Sequence, residues 1–226
     1  MSYLGSKAAS GVWQKIIAEM PPHDTYIETH LGGGAIMLRK PPALRSIGID
    51  IDSDVIKQFD DALVMPRPDL ELRCVDAYQF ISTFNYGSAG QTLIYCDPPY
   101  LPETRTGNAR YRYEYSVDDH YRLLWLLRQL PDNVRVIISG YPSRMYDDLL
   151  TGWRTRTFQA MTRGGVRTEQ IWMNFPAGQP FTHYCAGRDY NDRFRIKRKA
   201  ARWKAKFQAL PPAERLAIMV ALNEVE

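Results

Sequence analysis

The fold of the chain can be worked out from one stretch, Leu93-Ile94-Tyr95-Cys96-Asp97-Pro98-Pro99-Tyr100. Its first four residues are apolar or aromatic and predict a short buried strand. Two consecutive prolines fit neither a central strand nor a helix, and Pro98 also keeps the residue before it extended. The strand therefore ends abruptly at Asp97, in a stiff turn that fixes where the carboxylate, the backbone carbonyls and the Tyr100 ring point.

This turn suits a planar ligand that carries an exocyclic amino group. The carboxylate of Asp97 and a nearby backbone carbonyl can accept the two N–H hydrogens, while the flat ring of Tyr100 can stack on the ligand. The plainer interpretation is a strand followed by a tight turn, with Asp97 acting only as a cap. The rest of the chain has to distinguish the two.

Composition describes an ordinary soluble globular protein. Of the 226 residues, 45% are apolar and 24% charged, and no apolar run approaches the length of a membrane span. The first residues do not have the pattern of a signal peptide, and three scattered cysteines favour reduced thiols, so we expect a cytoplasmic protein without membrane contact. No spacing of His and Cys predicts a metal site.

Positive charge is concentrated near the C-terminus. Residues 188–206 contain nine basic and two acidic side chains, whereas the whole chain carries a net charge of only +4. Because a basic segment on a neutral-to-acidic body is typical of proteins that bind polyanions, we expect contact with nucleic acid there, through residues such as Lys197, Arg198 and Lys199. The alternative is a solvated helix face.

Acids follow three predicted strands at the edge where parallel sheets bind ligands. The first strand, 26–28, runs into three glycines, Gly32 to Gly34, before a short predicted helix that ends near Arg39. The next strands end at Asp50 and Asp76, and the fourth ends at Asp97. An acid after the second strand, behind a glycine-rich turn, typically binds the hydroxyls of a ribose, which implies a nucleoside-containing cofactor.

The remaining pattern predicts the fold class and its two parts. Strands alternate with helices and finish in a hairpin around Arg163-Gly164-Gly165, which predicts a doubly wound, mostly parallel α/β sheet with an antiparallel terminal hairpin. We predict a catalytic domain over 1–175 and a basic helical extension over 176–226. Its first helix has an apolar stripe: Ile196, Ala200, Trp203, Phe207 and Leu210.

A polar, aromatic segment follows the acidic turn. Residues 101–115 have no periodicity and mix guanidinium groups with tyrosine rings, which is the chemistry that contacts phosphates and unstacked bases. We expect Arg105, Arg110 and Arg112 to bind nucleic acid.

In this order, the motifs of the chain resemble those of the Dam-like, adenine-N6-specific DNA methyltransferases. The residues that carry the resemblance span about 2–174: Tyr3-x-Gly5-Ser6-Lys7, Glu28-Thr29-His30-Leu31-Gly32-Gly33-Gly34-Ala35, Ile49-Asp50-Ile51-Asp52, Asp76 and Asp97-Pro98-Pro99-Tyr100. Phage and prophage members have a similar basic C-terminal helix. The resemblance implies the class I S-adenosyl-methionine-dependent methyltransferase fold, double-stranded DNA as partner, a role in DNA methylation or restriction–modification, and a monomer or weak dimer.

The resemblance also implies roles for individual residues. Tyr3, Lys7 and Glu28 match cofactor-binding motifs, Gly32 to Gly34 match the loop near the methionine part of S-adenosyl-methionine, and Asp76 matches the residue near its adenine. Asp50 matches the ribose-binding acid. Asp97, Pro98 and Tyr100 match the catalytic element, in which Asp97 also touches the cofactor.

Two departures from the family pattern stand out. Thr29-His30 replaces the usual Pro-Phe, and only 47 positions separate Asp50 from Asp97, so the long helical target-recognition insertion of many members is absent. Sequence recognition then falls to residues 101–115, the Arg163 hairpin or the C-terminal extension.

We therefore expect methyl transfer to the N6 amino group of a flipped adenine in DNA, without a metal or a covalent intermediate. Alternatives within enzymes are methylation of cytosine N4, of RNA or of a glutamine amide, although an Asn in place of Asp97 would suit the last two better. A catalytically silent DNA-binding protein and a nicotinamide-dependent oxidoreductase are alternatives of other classes.

Overall fold

A seven-stranded sheet forms the body of the protein in this computed structural model, which describes residues 7–9, 11–105, 112–162, 165–182, 185, 187 and 189–224. The spatial order is β3-β2-β1-β4-β5-β7-β6. Strands β1 to β5 are mutually parallel, and β7 runs antiparallel to both β5 and β6. The strands are β1 (Thr25–Glu28), β2 (Arg45–Asp50), β3 (Leu70–Cys74), β4 (Thr92–Cys96), β5 (Val134–Gly140), β6 (Arg154–Thr162) and β7 (Gly165–Met173). The predicted fold class is confirmed.

Helices alternate with these strands as the sequence pattern predicts. They are α1 (Val12–Ala18), α2 (Ser53–Asp61), α3 (Ala77–Thr83), α4 (Val117–Arg128), α5 (Arg144–Leu149), α6 (Tyr190–Gln208) and α7 (Pro212–Asn223). Side-chain caps set several of the starts: Asp52 accepts a hydrogen bond from the Asp54 amide before α2, and Ser116 and Asp119 form a capping box before α4. No helix in the described part of the chain is long and apolar enough to cross a bilayer.

The central strand β4 is buried along its whole length. It pairs with β1 on one side and β5 on the other, and all five of its residues are inaccessible. A strand covered on both faces has to be apolar on both, which explains the continuous run that opens the sequence argument. Its Ile94 belongs to one core cluster with Ile27, Val136 and Leu124. This packing places the residue that follows β4 at a rigid position in the middle of the sheet.

The helix expected after the glycines, up to about Arg39, is wrong. Residues 35–40 form consecutive turns, although the Leu38 amide still donates to the Gly34 carbonyl at 2.9 Å. Gly32 and Gly34 both have positive φ (48° and 56°), and Pro41 follows closely, so too few residues remain in right-handed conformation for a regular helix. The segment therefore presents the backbone of a turn at this edge of the sheet, in place of the predicted helix.

The chain divides after Thr182 into two compact units, 1–182 and 183–226. The second unit contains α6 and α7. Asp189 caps α6 by accepting the Asp192 amide, and the helix contains the predicted apolar stripe except Leu210, which lies two residues beyond its end. No residue of α6 is buried, and the Trp203 ring is 62% exposed.

Candidate active site

The acidic turn and the glycine turn lie side by side at the carboxyl edge of the sheet. β1 and β4 are neighbours, with Glu28 opposite Tyr95 in their register. The amide of Thr29, where the glycine segment begins, donates to the Tyr95 carbonyl at 3.1 Å, two residues before Asp97. Parallel strands bring the residues after their carboxyl ends to one edge, so this contact follows directly from the strand order.

Lys7 forms the closest contact with Asp97. Its Nζ donates to Oδ1 and Oδ2 of Asp97, both at 2.7 Å, across 90 residues of sequence. The Lys7 side chain is 5% exposed and that of Asp97 16%, so the pair is largely shielded from water. A charge-assisted hydrogen bond in such surroundings is stronger than one between neutral groups in water.

Tyr100 stands over this ion pair. The Lys7 Nζ lies 5.0 Å from the centre of its ring, and the ring of Tyr141, just after β5, meets it edge-on at 4.6 Å. A base stacked on Tyr100, as predicted, would share the ring with the ammonium group. Pro98 is buried, and its ring restricts the backbone of the turn.

Glu169 is a fourth member of this cluster that the sequence argument missed. Its Oε2 lies 3.9 Å from the Lys7 Nζ, and the residue is 7% exposed. Because β7 runs antiparallel to β5, residues early in β7 reach the same edge as residues that follow β5. The available signal was an acid at a position that alternates with the buried Ile171 and Met173 of the same strand face.

Burial raises the pKa of the Glu169 carboxyl. The Lys7 ammonium acts against this rise, nearby Asp97 adds to it, and the Tyr100 hydroxyl opposes it. The cluster therefore holds two carboxyl groups around one ammonium. Such an arrangement attracts a cationic or proton-donating ligand.

Asp50 lies where a ribose-binding acid is expected, at the end of β2. Its Oδ2 accepts the Gly32 amide at 2.9 Å and its Oδ1 accepts the Asp52 amide at 3.0 Å. Burial raises its pKa, and these two backbone hydrogen bonds lower it. Each carboxylate oxygen has capacity for a second hydrogen bond, so the group can still accept from ligand hydroxyls.

Gly34 could not be replaced in this turn. With φ at +56°, a Cβ built on it would lie 1.9 Å from Cε2 of Phe59 on α2. The ring of Phe59 therefore packs on the glycine, which fixes the turn against α2. This is close backbone packing of the kind that requires glycine.

Asp76 serves as the N-cap of α3, since its Oδ1 accepts the Gln79 amide at 2.9 Å. It also lies near the carboxyl edge, because the Val75 amide donates to the Asp50 carbonyl at 3.0 Å. Its charge, together with that of Asp50, contributes to the pKa of Tyr115, which burial raises well above its usual value. The predicted contact with a cofactor adenine stays a prediction beside this capping role.

Glu28 is buried beneath the glycine segment. Its Oε2 accepts the Tyr26 hydroxyl at 3.0 Å, and its carboxyl group also accepts the backbone amide of Met37. Burial raises its pKa to about 8. Glu28 thus ties the segment after the glycines to β1, and its predicted cofactor role would act through that segment.

His30 links the glycine turn to the segment after the acidic turn. Its Nε2 is 2.9 Å from the Tyr115 hydroxyl, and its Nδ1 is 2.9 Å from Oγ1 of Thr29. Burial lowers the pKa of His30 to about 3, so the ring is neutral and one nitrogen accepts. Thr29 and His30, which stand in place of the usual Pro-Phe, therefore connect the glycine turn to Tyr115 by hydrogen bonds.

The arginines predicted to bind nucleic acid have partners within the protein. Arg105 forms a two-pronged pair with Glu114 at 3.0 and 2.7 Å and donates to the Tyr100 carbonyl, and Arg112 contacts Asp54 at 2.7 Å. Arg110 and Tyr3 lie outside the described residues.

Lys197, Arg198 and Lys199 lie on α6 with exposed side chains. The guanidinium carbon of Arg198 lies 5.4 Å from the ring centre of Phe194, one turn earlier. Consecutive positions on a helix point in different directions, so these three charges spread around part of α6. Their binding to nucleic acid stays a prediction.

Comparison with known proteins identifies the fold. No family model matches the chain, and no curated protein matches it in sequence. A SAM-dependent methyltransferase from Agrobacterium tumefaciens superposes with a TM-score of 0.50 at 13% identity, over 72% of this chain and 60% of the other. SMU.776, named as a methyltransferase and solved as a complex with SAH, gives a TM-score of 0.50 at 13% identity over 71% and 47%. The chain thus spans less than two thirds of each of these proteins and shares the fold of class I methyltransferases.

Proposed function

We propose that this protein transfers a methyl group from S-adenosyl-methionine to the N6 amino group of adenine in double-stranded DNA. The observation that carries the proposal is the hydrogen bond from the Thr29 amide to the Tyr95 carbonyl. It joins the glycine turn, the expected methionine-binding element, to the strand that ends in Asp97. Methyl donor and target amine would have to meet at such a junction.

The residues at this edge fit S-adenosyl-methionine. The Asp50 carboxylate accepts two backbone amides and retains acceptor capacity for ribose hydroxyls. The glycine turn offers backbone without side chains, and Asp97 and Glu169 provide negative charge for a cationic ligand. When bound, this cofactor supplies a methyl group activated by a positively charged sulfur.

The chain's own groups position the acceptor. The flipped adenine would place its amino hydrogens on the Asp97 carboxylate and the Pro98 carbonyl and its ring against Tyr100. Withdrawal of both N–H hydrogens into hydrogen bonds leaves the nitrogen lone pair facing the methyl carbon. When bound, the cofactor would supply its methyl group to this nitrogen by direct displacement and would leave as the thioether, and the proton released by the nitrogen would pass to the Asp97 carboxylate that accepts its hydrogen bond. Positioning and electrostatics supply most of the rate.

Double-stranded DNA is the partner that best suits the charge distribution. Most basic residues of α6 are exposed, whereas Arg105 and Arg112 are engaged in ion pairs with Glu114 and Asp54. Contacts by α6 to phosphates would give affinity without sequence preference. Recognition of a particular sequence would then need the segment after Tyr100, once Arg112 exchanges its carboxylate partners for DNA.

Methyl transfer from labelled S-adenosyl-methionine to duplex DNA tests the proposal. We expect the digested product to contain N6-methyladenine by mass spectrometry, and Asp97→Ala to lower the rate by at least about 1000-fold, because the amine loses its main acceptor. Asp132→Ala removes an exposed acid at the opposite end of the sheet and should leave the rate unchanged. Label in N4-methylcytosine, in RNA only, or in no substrate would overturn the proposal.

A further inference from the structure

We propose that Glu169 is a positioning residue that takes the Lys7 ammonium from Asp97 when the target amine enters. The inference rests on the proposed function of Asp97 and concerns how that acceptor becomes available. Along the chain, Glu169 is far from both β4 and the glycine turn. It belongs to the cluster only because β7 is antiparallel.

The distances define two sites for one ammonium group. Lys7 Nζ lies 2.7 Å from both oxygens of Asp97 and 3.9 Å from Oε2 of Glu169. A shift of about one ångström toward β7 would bring it within hydrogen-bond distance of Glu169. Lys7 has four rotatable bonds in its side chain, so such a shift requires no backbone movement.

Oε2 of Glu169 is ready to receive this ammonium. It is fully buried, and within the described part of the chain no donor forms a hydrogen bond of good geometry with it, although the Tyr100 hydroxyl lies close enough to lower the pKa of the carboxyl group. Burial of a carboxylate oxygen costs free energy unless a hydrogen bond or an opposite charge compensates it. Lys7 forms an ion pair with Glu169 at 3.9 Å, so a shift of its ammonium group toward Glu169 would lower that cost.

The move matters because of what Lys7 does to Asp97. An ammonium group that donates to both carboxylate oxygens reduces their negative charge and occupies lone-pair positions at which they could accept other hydrogen bonds. The two amino hydrogens of the base need those same acceptors. When Lys7 moves to Glu169, Asp97 regains its acceptor strength, and no proton is transferred in the exchange, so all charges balance.

Several charged or titratable groups face Glu169. They are Lys7 near the N-terminus, Asp97 and Tyr100 of the acidic turn, Tyr95 within β4, and Tyr141 after β5. Lys7 is the cation of this group, and among the described residues Asp97 and Glu169 are the carboxylates that pair with it. Glu169 draws Lys7 strongly when ionised and weakly when protonated, so its protonation should control turnover.

The first test compares Glu169→Gln with the wild type in kinetics. The amide keeps the shape but lacks the charge, so kcat should fall about 10- to 100-fold while KM for the cofactor stays unchanged. In the wild type, kcat should rise with pH as Glu169 ionises, and the variant should lack that rise. Glu169→Asp should restore part of it. Glu71→Gln, which removes an exposed acid paired with Arg45, is the matched control.

The second test needs no substrate and separates this inference from the proposed function. NMR titration of the Lys7 Nζ measures its pKa in the wild type, in Asp97→Asn, in Glu169→Gln and in the double variant. If the two carboxylates share the ammonium, each single variant lowers the pKa moderately and the double variant lowers it furthest. Equal pKa values in Asp97→Asn and the double variant, or an unchanged kcat profile in Glu169→Gln, would overturn the inference. An enzyme that methylates nothing would instead refute the proposed function and leave the titration valid.

Discussion

Gly34 shows how a single residue ties the glycine turn to its neighbours. Gly34→Ala should lower the free energy of unfolding by about 2 to 4 kcal/mol, because φ is +56° and the added methyl group meets Phe59. Binding of S-adenosyl-methionine, followed by thermal shift, should weaken as well.

Gly152→Ala is the matched control for Gly34. Gly152 has φ of +86°, but a Cβ there meets nothing within 4 Å. Its replacement should therefore cost only the backbone strain, about 1 kcal/mol, and leave cofactor binding intact. Equal losses in the two variants would show that Phe59 contact plays no part.

Glu28 makes stability depend on pH in a defined direction. Its folded pKa, about 8, is above the value of the unfolded chain, so the folded protein holds a proton that the unfolded chain releases. Stability from this group is present below the unfolded pKa and is lost as pH rises toward 8, by roughly 1.4 kcal/mol per pH unit.

Chemical denaturation of wild type and Glu28→Gln at several pH values measures that loss. The variant cannot ionise, so its stability relative to the wild type should increase between about pH 5 and 8 and then level off. His23 and His30 also titrate abnormally, but they are common to both proteins and cancel in the difference. The Glu28 charge raises the pKa of Lys40, so that coupling is part of what the difference measures. A difference that does not vary with pH would contradict the assignment.

At the scale of elements, the contact between His30 and Tyr115 joins two segments that the sheet alone does not connect. Tyr115→Phe removes a partly buried hydrogen bond and should lower the free energy of unfolding by about 1 kcal/mol. Because Tyr115 directly precedes α4, amide hydrogen exchange at residues 112–116 should accelerate, as mass spectrometry can measure. Tyr121→Phe, which alters a half-exposed ring on α4, should change neither quantity.

The elements that sequence predicted well are those whose pattern depends on burial alone. β4 and β5 are largely apolar runs because both of their faces are covered. The start of α4 can also be predicted, from the capping box formed by Ser116 and Asp119. The failures have another origin. Residues 35–40 contain helix-forming side chains, yet two left-handed glycines before them override that preference.

The candidate site divides in the same way. Asp50, Asp76 and Asp97 could be found because each directly follows a parallel strand. Glu169 lies inside a strand, and only the antiparallel pairing of β7 brings it to Lys7. Lys7 itself was identified by resemblance, and nothing in its spacing predicts a bond to a residue 90 positions away. Local sequence patterns do not predict contacts that depend on strand direction or on segments far apart in the chain.

At the scale of the whole molecule, charge is divided between two compact units. Net positive charge collects in residues 188–206, which belong to the second unit, while the clustered carboxylates belong to the first. We therefore predict a separation of roles, in which the second unit provides affinity for phosphates and the first provides chemistry. Salt dependence of DNA binding measures the first of these roles.

Replacing Lys197, Arg198 and Lys199 together by Gln tests that division. If all three contact phosphates, the slope of log K against log salt should become less steep by about 2 to 3, and affinity at low salt should fall. The rate at saturating DNA should stay near that of the wild type, because the cluster around Asp97 is unchanged. Arg122, Arg128 and Arg144, exposed on the first unit, give a control triple with the same loss of charge. An identical change of slope in both triples would mean that net charge, and not its position on α6, determines binding.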